Sequence, residues 1–385
     1  MSFSRAHKTR LALWWWSIDR RLLNALVLLL LCGFVLSFAA SPSVAERIGL
    51  SPWHFVIRHG AFCVLSIAVM LGTSFLTHTQ VRMFALVLLT FSFAMLAATV
   101  LFGEEVKGAR RWISLVGFSL QPSEFIKPAS AVVAAWLVSE AMRDSSLPGR
   151  WLAALIMLAI AVFLLLQPDI GQTALVLATW ATLLFISGIS WWLVLGLAGV
   201  GAALLTAAYV FFPHFARRID AFLGSGDSSA SYQVERAAEA FAEGGWFGMG
   251  PGESASKGRI PDAHADYVLA AAAGEFGIIF CIALVALLAW IPINAMMRAL
   301  RQQNEFVRLA GAALAAQFAM QSGIHLVVNA GLAPTKGMTL PFVSYGGTSM
   351  LAVAFGMGLL LALTRVAPES HFPSALPFRP LDSAI

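Results

Sequence analysis

Leu22-Leu23-Asn24-Ala25-Leu26-Val27-Leu28-Leu29-Leu30-Leu31-Cys32-Gly33-Phe34-Val35-Leu36-Ser37-Phe38-Ala39-Ala40 follows directly on Arg20-Arg21 and carries no charge. As a helix rising ~1.5 Å per residue it reaches about 28 Å, close to the ~30 Å of hydrocarbon in a bilayer. The run is longer than the ~7–15-residue core of a signal peptide and leads into further apolar windows, so it reads as a retained first span. Nine more windows follow, at roughly 57–76, 83–102, 125–142, 151–166, 173–188, 191–212, 267–293, 307–328 and 349–364. The sequence therefore predicts an all-α, polytopic integral membrane protein with about ten transmembrane helices.

Composition agrees. Of 385 residues, 59% are hydrophobic and 12% charged, against about 45–50% and about 25% in soluble domains. This excludes a soluble enzyme, a disordered chain and a disulfide scaffold. An outer-membrane barrel is disfavoured, because its strands alternate in polarity. Net charge is +5, without the basic, aromatic-interleaved runs of a nucleic-acid binder. Cys32, Cys63 and Cys281 are scattered through apolar stretches and read as packing residues.

Arg5, Lys8, Arg10, Arg20 and Arg21 precede the first window, whereas Arg47 and Arg58 flank its far end. The positive-inside rule then places the N-terminus, and after ten spans the C-terminus, in the cytoplasm. Summed over the chain the rule is nearly blind: 13 of the 25 cations fall inside and 12 outside. The outer cations sit in Lys107–Arg111 with Lys127, in 213–266, and at Lys336. Cations kept where topology disfavours them suggest an anionic ligand at the outer face. Residues 1–21 read as a cytoplasmic lead, 22–365 as the membrane domain, and the Pro-rich 366–385 as a disordered cytoplasmic tail.

The long outer loop 213–266, between the seventh and eighth windows, holds a short amphipathic helix at Tyr232–Glu243 and a glycine-rich stretch, Gly244–Gly252. That stretch lacks the Lys-Ser/Thr of a phosphate-binding loop and reads as turn chemistry for close backbone approach. At the end of the loop, in Pro261-Asp262-Ala263-His264-Ala265-Asp266-Tyr267, Asp266 enters the eighth window. It is either a capping carboxylate or a general base withdrawn from water at the membrane surface. Ala270 and Gly274 follow at i+4 and i+8, leaving room for a lipid chain or a close helix. His264 could carry a proton, bind a metal or serve as a hydrogen-bonded structural group; no His/Asp/Glu spacing reaches metal-site specificity.

Lys107, Arg110 and Arg111 stand at i, i+3 and i+4 and share one face if this segment is helical. Three such cations suit a pyrophosphate or a phospholipid headgroup. Glu124 and Lys127 lie beside Gln121-Pro122-Ser123, and Asp169 lies within Gln167-Pro168-Asp169-Ile170-Gly171. Ionisable residues at membrane depth pair with one another or face a polar interior. Glu140 and Glu275 are therefore inward-facing candidates, with Lys336 a plausible partner for Glu275. The segment Ala333–Ser349, which contains Ser344 and Tyr345, is too broken by Pro and Gly for a helix and too apolar for a solvated loop. Irregular backbone at membrane depth is tolerated where it lines a cavity, so 333–348 reads as a re-entrant loop walling the site.

Together, Lys107-Gly108-Ala109-Arg110-Arg111-Trp112-Ile113, Gln121-Pro122-Ser123-Glu124-Phe125-Ile126-Lys127, Gln167-Pro168-Asp169-Ile170-Gly171, Ala263-His264-Ala265-Asp266 and Pro334–Gly347 resemble, in order and across about 20–365, the SEDS family (shape, elongation, division and sporulation). Pro334-Thr335-Lys336-Gly337 favours its cell-division branch over the elongation branch. The resemblance implies a ten-helix septal polymerase of lipid II in the bacterial inner membrane. Asp266 matches the family's catalytic aspartate, Lys336 its loop lysine and Glu275 its eighth-helix glutamate. Departures stand at Ala265, Tyr267, Phe276, His325 and Val327, where Thr, Phe, Glu, Asn and Gly are expected.

The implied reaction takes a proton from an acceptor sugar hydroxyl onto Asp266, while undecaprenyl pyrophosphate leaves the donor. Lys107, Arg110, Arg111 and Lys336, or a divalent cation (Mg2+ or Mn2+), would offset the pyrophosphate charge. Gln121, Ser123, Glu124, Lys127, Asp169, His264, Glu275, Ser344 and Tyr345 would form the supporting polar network. The implied partners are a class B penicillin-binding transpeptidase (FtsI-like) and the FtsQ–FtsL–FtsB complex. A lipid II flippase is the alternative reading, although no paired repeat of the transporter kind is visible. A purely structural division scaffold is the third.

Overall fold

The computed structural model describes residues 9–106, 109–115, 118–211, 216–217, 219–220, 228–250, 253, 260, 263–334 and 337–365. The helices are α1 (Arg10–Ser17), α2 (Arg20–Ala40), α3 (Pro42–Arg47), α4 (His54–Ser74), α5 (His78–Phe102), α6 (Pro122–Arg143), α7 (Gly149–Leu166), α8 (Ile170–Ile186) and α9 (Trp191–Phe211). They continue with α10 (Ser228–Gly244), α11 (Val268–Leu300), α12 (Glu305–Asn329) and α13 (Gly347–Leu363). Among the described residues, seven helices are long and apolar enough to cross a membrane; α8, α13 and Gly199–Phe211 of α9 are shorter apolar helices beside them.

In α2 the apolar side chains divide by position. Leu22, Leu26, Leu29 and Leu30 are buried, whereas Leu28, Leu31, Val35 and Phe38 are exposed. The buried set follows helical spacing, and the exposed set suits lipid. α6, α12 and α13 are the most enclosed. α13 packs on α4, α6 and α12; α12 also packs on α8 and α11. Side-chain caps set several helix starts: Asp19 accepts from Arg21 N and Leu22 N, Thr77 and Gln80 form a capping box, and Asn304 accepts from Val307 N.

Each expected window coincides with a helix among the described residues, but the bounds shift at the ends. α6 begins at Pro122, where proline occupies the first turn and its missing N–H has no intrahelical role. α11 runs on to Leu300. The amphipathic loop helix is longer than expected, Ser228–Gly244.

Three elements depart from expectation. α1 packs across the end of the bundle where α4 stops, Trp14 Nε1 donating to Ser74 Oγ at 2.9 Å and its ring stacking on Phe75 at 4.5 Å. Glu140 is not an interior charge of the site; it is half-buried at that same end, accepting from Arg82 at 3.1 Å and from Trp136 Nε1 at 3.2 Å. The described residues within 104–120 form strands, β1 (Glu104–Val106), β2 (Ala109–Leu115) and β3 (Phe118–Leu120), in an antiparallel sheet of order β1-β2-β3. Glu105 pairs with Arg110 and Ile113 with Leu120. The expected helical face of Lys107, Arg110 and Arg111 is thereby corrected: adjacent strand residues point to opposite faces. Lys107, Lys336 and the tail 366–385 lie outside the described residues.

Candidate active site

The turn 263–266 precedes α11, whose N-cap is Tyr267. Three successive carbonyls of this turn are held. His264 O accepts from Tyr345 N at 2.9 Å. Ala265 O accepts from Ser344 Oγ at 2.6 Å and lies 3.3 Å from His325 Nε2. Asp266 O accepts from Asn329 Nδ2 at 2.8 Å. Two elements remote in sequence, α12 and the irregular segment 337–346, thus fix the backbone that carries Asp266.

Asp266 is half-buried at a small open cleft lined also by Ile324, His325, Val328, Gly337 and Met338. The N-cap position itself is held by Tyr267, whose side chain makes no cap bond. Burial pushes the neighbouring Tyr267 phenol up, and the Asp266 charge adds to that rise. His325 Nδ1 lies 3.1 Å from Asn329 Nδ2 and its Nε2 lies 3.4 Å from Ser344 Oγ. That pattern fits a neutral ring with the proton on Nε2, facing Ala265 O.

His264 packs among aromatic rings. It stacks on Phe55 at 4.8 Å, and Tyr345 meets Phe55 edge-on at 5.0 Å. His59, buried one turn further along α4, lies 6.3 Å from the Tyr345 ring. Among the described residues no three His, Cys, Asp or Glu side chains converge as a cation cage.

A second polar cluster lies between α6, α8 and α12. Lys127 Nζ donates to Glu124 at 2.9 Å and to Gln321 Oε1 at 3.1 Å, and Gln172 Nε2 donates to Glu124 at 2.6 Å. Gln321 Nε2 donates onward to Thr339 O at 3.1 Å. The segment that contains Thr339 also contains Ser344, so the two clusters share one backbone. Thr339 Oγ1 donates to Ser349 Oγ at 2.7 Å, tying that segment to α13.

Arg111 faces inward, 3.6 Å from Asp169 and donating to the carbonyls of Gln167 and Pro168. Burial pushes the Asp169 carboxyl up, and Arg111 pulls against that rise. Arg110 faces outward, exposed, 3.6 Å from Glu105. The structure therefore separates the two arginines: one is tied into the fold, the other presented at the surface. Gln121 precedes α6, its carbonyl accepting from Glu124 N at 3.2 Å. Ser123 is buried. Glu275 is buried in α11 two residues before a break in that helix; its expected contact with Lys336 falls outside the described residues. Ala270 and Gly274 leave room for protein backbone, not for lipid. Both are buried, and a Cβ on Gly244 would stand 1.9 Å from Ala273 O and 3.0 Å from Gly274 Cα.

Sequence reasoning missed Asn329, Gln321, Gln172 and Phe55, and saw His325 only as a departure. The available signal was the polar stripe Gln321, His325, Asn329 at i, i+4 and i+8 on an otherwise apolar span. Such polar groups in a membrane helix face a functional interior.

The sequence profile of the cell cycle protein family FtsW/RodA/SpoVE matches residues 20–368. A probable peptidoglycan glycosyltransferase FtsW of Caulobacter vibrioides is 40% identical over 373 residues, covering 96% of this chain and 95% of that one. Its counterpart in Allochromatium vinosum is 34% identical over 379 residues, covering 94% of each. Among solved structures, a chain from a peptidoglycan synthase complex that coordinates polymerization and crosslinking superposes with a TM-score of 0.75 at 25% identity, covering 91% of this chain and 98% of that one. Thermus thermophilus RodA superposes at 0.66 with 24% identity over 91% of this chain and 97% of its own, a likeness of fold.

Proposed function

The chain belongs to the FtsW/RodA/SpoVE family of cell cycle proteins and is a membrane-embedded peptidoglycan glycosyltransferase, and on that premise we propose that Asp266 is the general base that polymerises glycan from lipid II. The observation that carries this is the immobilised turn: three consecutive carbonyls, the last that of Asp266, are bonded to α12 and 337–346, while the Asp266 side chain borders a cleft. A base held at fixed geometry contributes most when its backbone cannot drift.

In this reaction the acceptor's sugar hydroxyl gives its proton to Asp266 as its oxygen bonds to the donor's anomeric carbon. The bond from that carbon to the undecaprenyl pyrophosphate oxygen breaks, and the pyrophosphate leaves with the electron pair. Configuration at the carbon inverts. Arg110, with Lys107 and Lys336, attracts the pyrophosphate by charge. Arg111 acts differently, bracing Asp169 and the 167–168 backbone at the mouth of α8. The site end of the bundle faces outward and both termini lie in the cytoplasm, at the division septum. The transpeptidase partner is supported by the structural similarity to a synthase complex that couples polymerization to crosslinking; the FtsQ–FtsL–FtsB complex extends that assembly.

The test is lipid II polymerisation by purified protein in detergent, where transport across a bilayer has no meaning. Glycan strands are expected, with the transpeptidase present if not alone. Absence of polymer together with lipid II exchange across vesicles would establish the flippase reading instead. Within the site, Asn329→Ala removes one carbonyl anchor. Leaving a buried group unpaired costs roughly 1–2 kcal/mol, so the turnover rate is expected to fall about five- to thirtyfold, with KM nearly unchanged. An effect on KM alone would place Asn329 in substrate binding.

A further inference from the structure

The glycine-rich stretch 244–250 takes no part in the polar clusters, yet it is built into α11. α11 is broken at Gly277, which adopts φ +81° and ψ 175°, a conformation open to glycine and strained for other residues. A continuous helix would bond Ile278 N to Gly274 O and Ile279 N to Glu275 O. Instead, all four groups bond to the stretch: Met249 N to Gly274 O at 3.0 Å, Gly250 N to Glu275 O at 3.1 Å, Ile278 N to Gly245 O at 2.9 Å and Ile279 N to Trp246 O at 3.3 Å. The loop is spliced into the gap, and the groups freed by the break are satisfied without water. Irregular backbone at membrane depth needs that internal satisfaction.

The side chains of the splice are apolar and turned outward. Trp246 is 63% exposed, Phe247 84% and Met249 53%. Ile279 and Ile282 of α11, just beyond the break, are also exposed, so the patch continues the apolar outer surface of a membrane span. Its height follows from helix length. Residues 278–300 rise about 34 Å at ~1.5 Å per residue, enough to cross ~30 Å of hydrocarbon without the part of α11 before the break. Gly277 therefore sits at the hydrocarbon boundary on the site side, where Trp and other aromatic side chains concentrate.

We propose that residues 244–250 are a foot planted in the acyl-chain boundary of the site-side leaflet, with Trp246, Phe247 and Met249 as its lipid contacts. The foot is bonded to the same part of α11 that follows Asp266. It thus sets the height of the general base above the bilayer, a consequence that rests on the role proposed for Asp266; the lipid contact itself does not.

Site-directed spin labelling in lipid nanodiscs of phosphatidylethanolamine and phosphatidylglycerol tests this. In a background with Cys32, Cys63 and Cys281 replaced by alanine, a nitroxide is placed at Phe247→Cys, Met249→Cys, Ile282→Cys or Glu253→Cys, one at a time. Collisional relaxation by oxygen, which partitions into lipid, is compared with that by a water-soluble nickel chelate. Labels at 247 and 249 are expected to match the lipid-facing label at 282, oxygen dominating several-fold, while 253 in the same loop is dominated by nickel. Nickel accessibility at 247 and 249 equal to that at 253 would overturn the proposal. Shielding of both labels from both agents would also overturn it, because protein rather than lipid would then cover the patch. Retained melting temperature identifies folded variants, and two independent positions keep the outcome decisive if one does not fold.

Discussion

Lys127→Met is expected to destabilise the protein by about 3–5 kcal/mol, the loss typical when one partner of a buried ion pair is removed. The pair is enclosed: the Lys127 side chain is 1% exposed and that of Glu124 4%. Removing the ammonium leaves the Glu124 carboxylate inside the bundle with only Gln172 donating to it among the described hydrogen bonds. It also takes the Nζ donor from Gln321 Oε1, which steadies the amide that donates to Thr339 O. Glu124→Gln alone strands the opposite charge. The double variant Glu124→Gln/Lys127→Met carries neither charge of the pair and is expected to recover part of the loss, so the two effects are not additive. Thermal unfolding of the four proteins in detergent measures this. Strict additivity would mean that the two side chains do not form one unit.

Asp266→Asn is expected to lower polymerisation roughly 10²–10⁴-fold, the range typical of a general base. The change is nearly isosteric and leaves every described backbone bond of the turn in place, because His264, Ala265 and Asp266 are held through their carbonyls. Melting temperature and lipid II binding should therefore stay near wild type. That signature separates Asp266 from Asn329, whose removal loosens the same turn and lowers the rate by a smaller factor. A loss of folding in Asp266→Asn equal to its loss of activity would instead make the carboxylate structural.

The span pattern was legible because lipid tolerates uncharged runs wherever they occur, and each such run had only one regular way to satisfy its backbone. Asp266, Glu124 with Lys127, and the irregular 337–346 segment were legible for the complementary reason: charge and broken backbone are conspicuous in an apolar chain. What stayed hidden depended on pairing across the fold. Arg110 and Arg111 are helix-spaced with Lys107, yet strand pairing through Glu105 and Ile113 sends the two arginines to opposite faces. Gln172 and Gln321 are neutral and unremarkable in sequence; only the packing of α8 and α12 on α6 brings them to the ion pair. Gly244 through Gly250 signalled close backbone approach, but the break at Gly277 that receives the stretch lies far enough along α11 to read as an uninterrupted helix.

The most direct measurement is the initial rate of glycan-strand formation from lipid II in detergent, wild type and Asp266→Asn side by side at matched folded protein and saturating substrate. Polymer from the wild type, with the variant slower by at least two orders of magnitude, is the predicted result. Strands formed by Asp266→Asn at the wild-type rate would contradict the assignment of the general base.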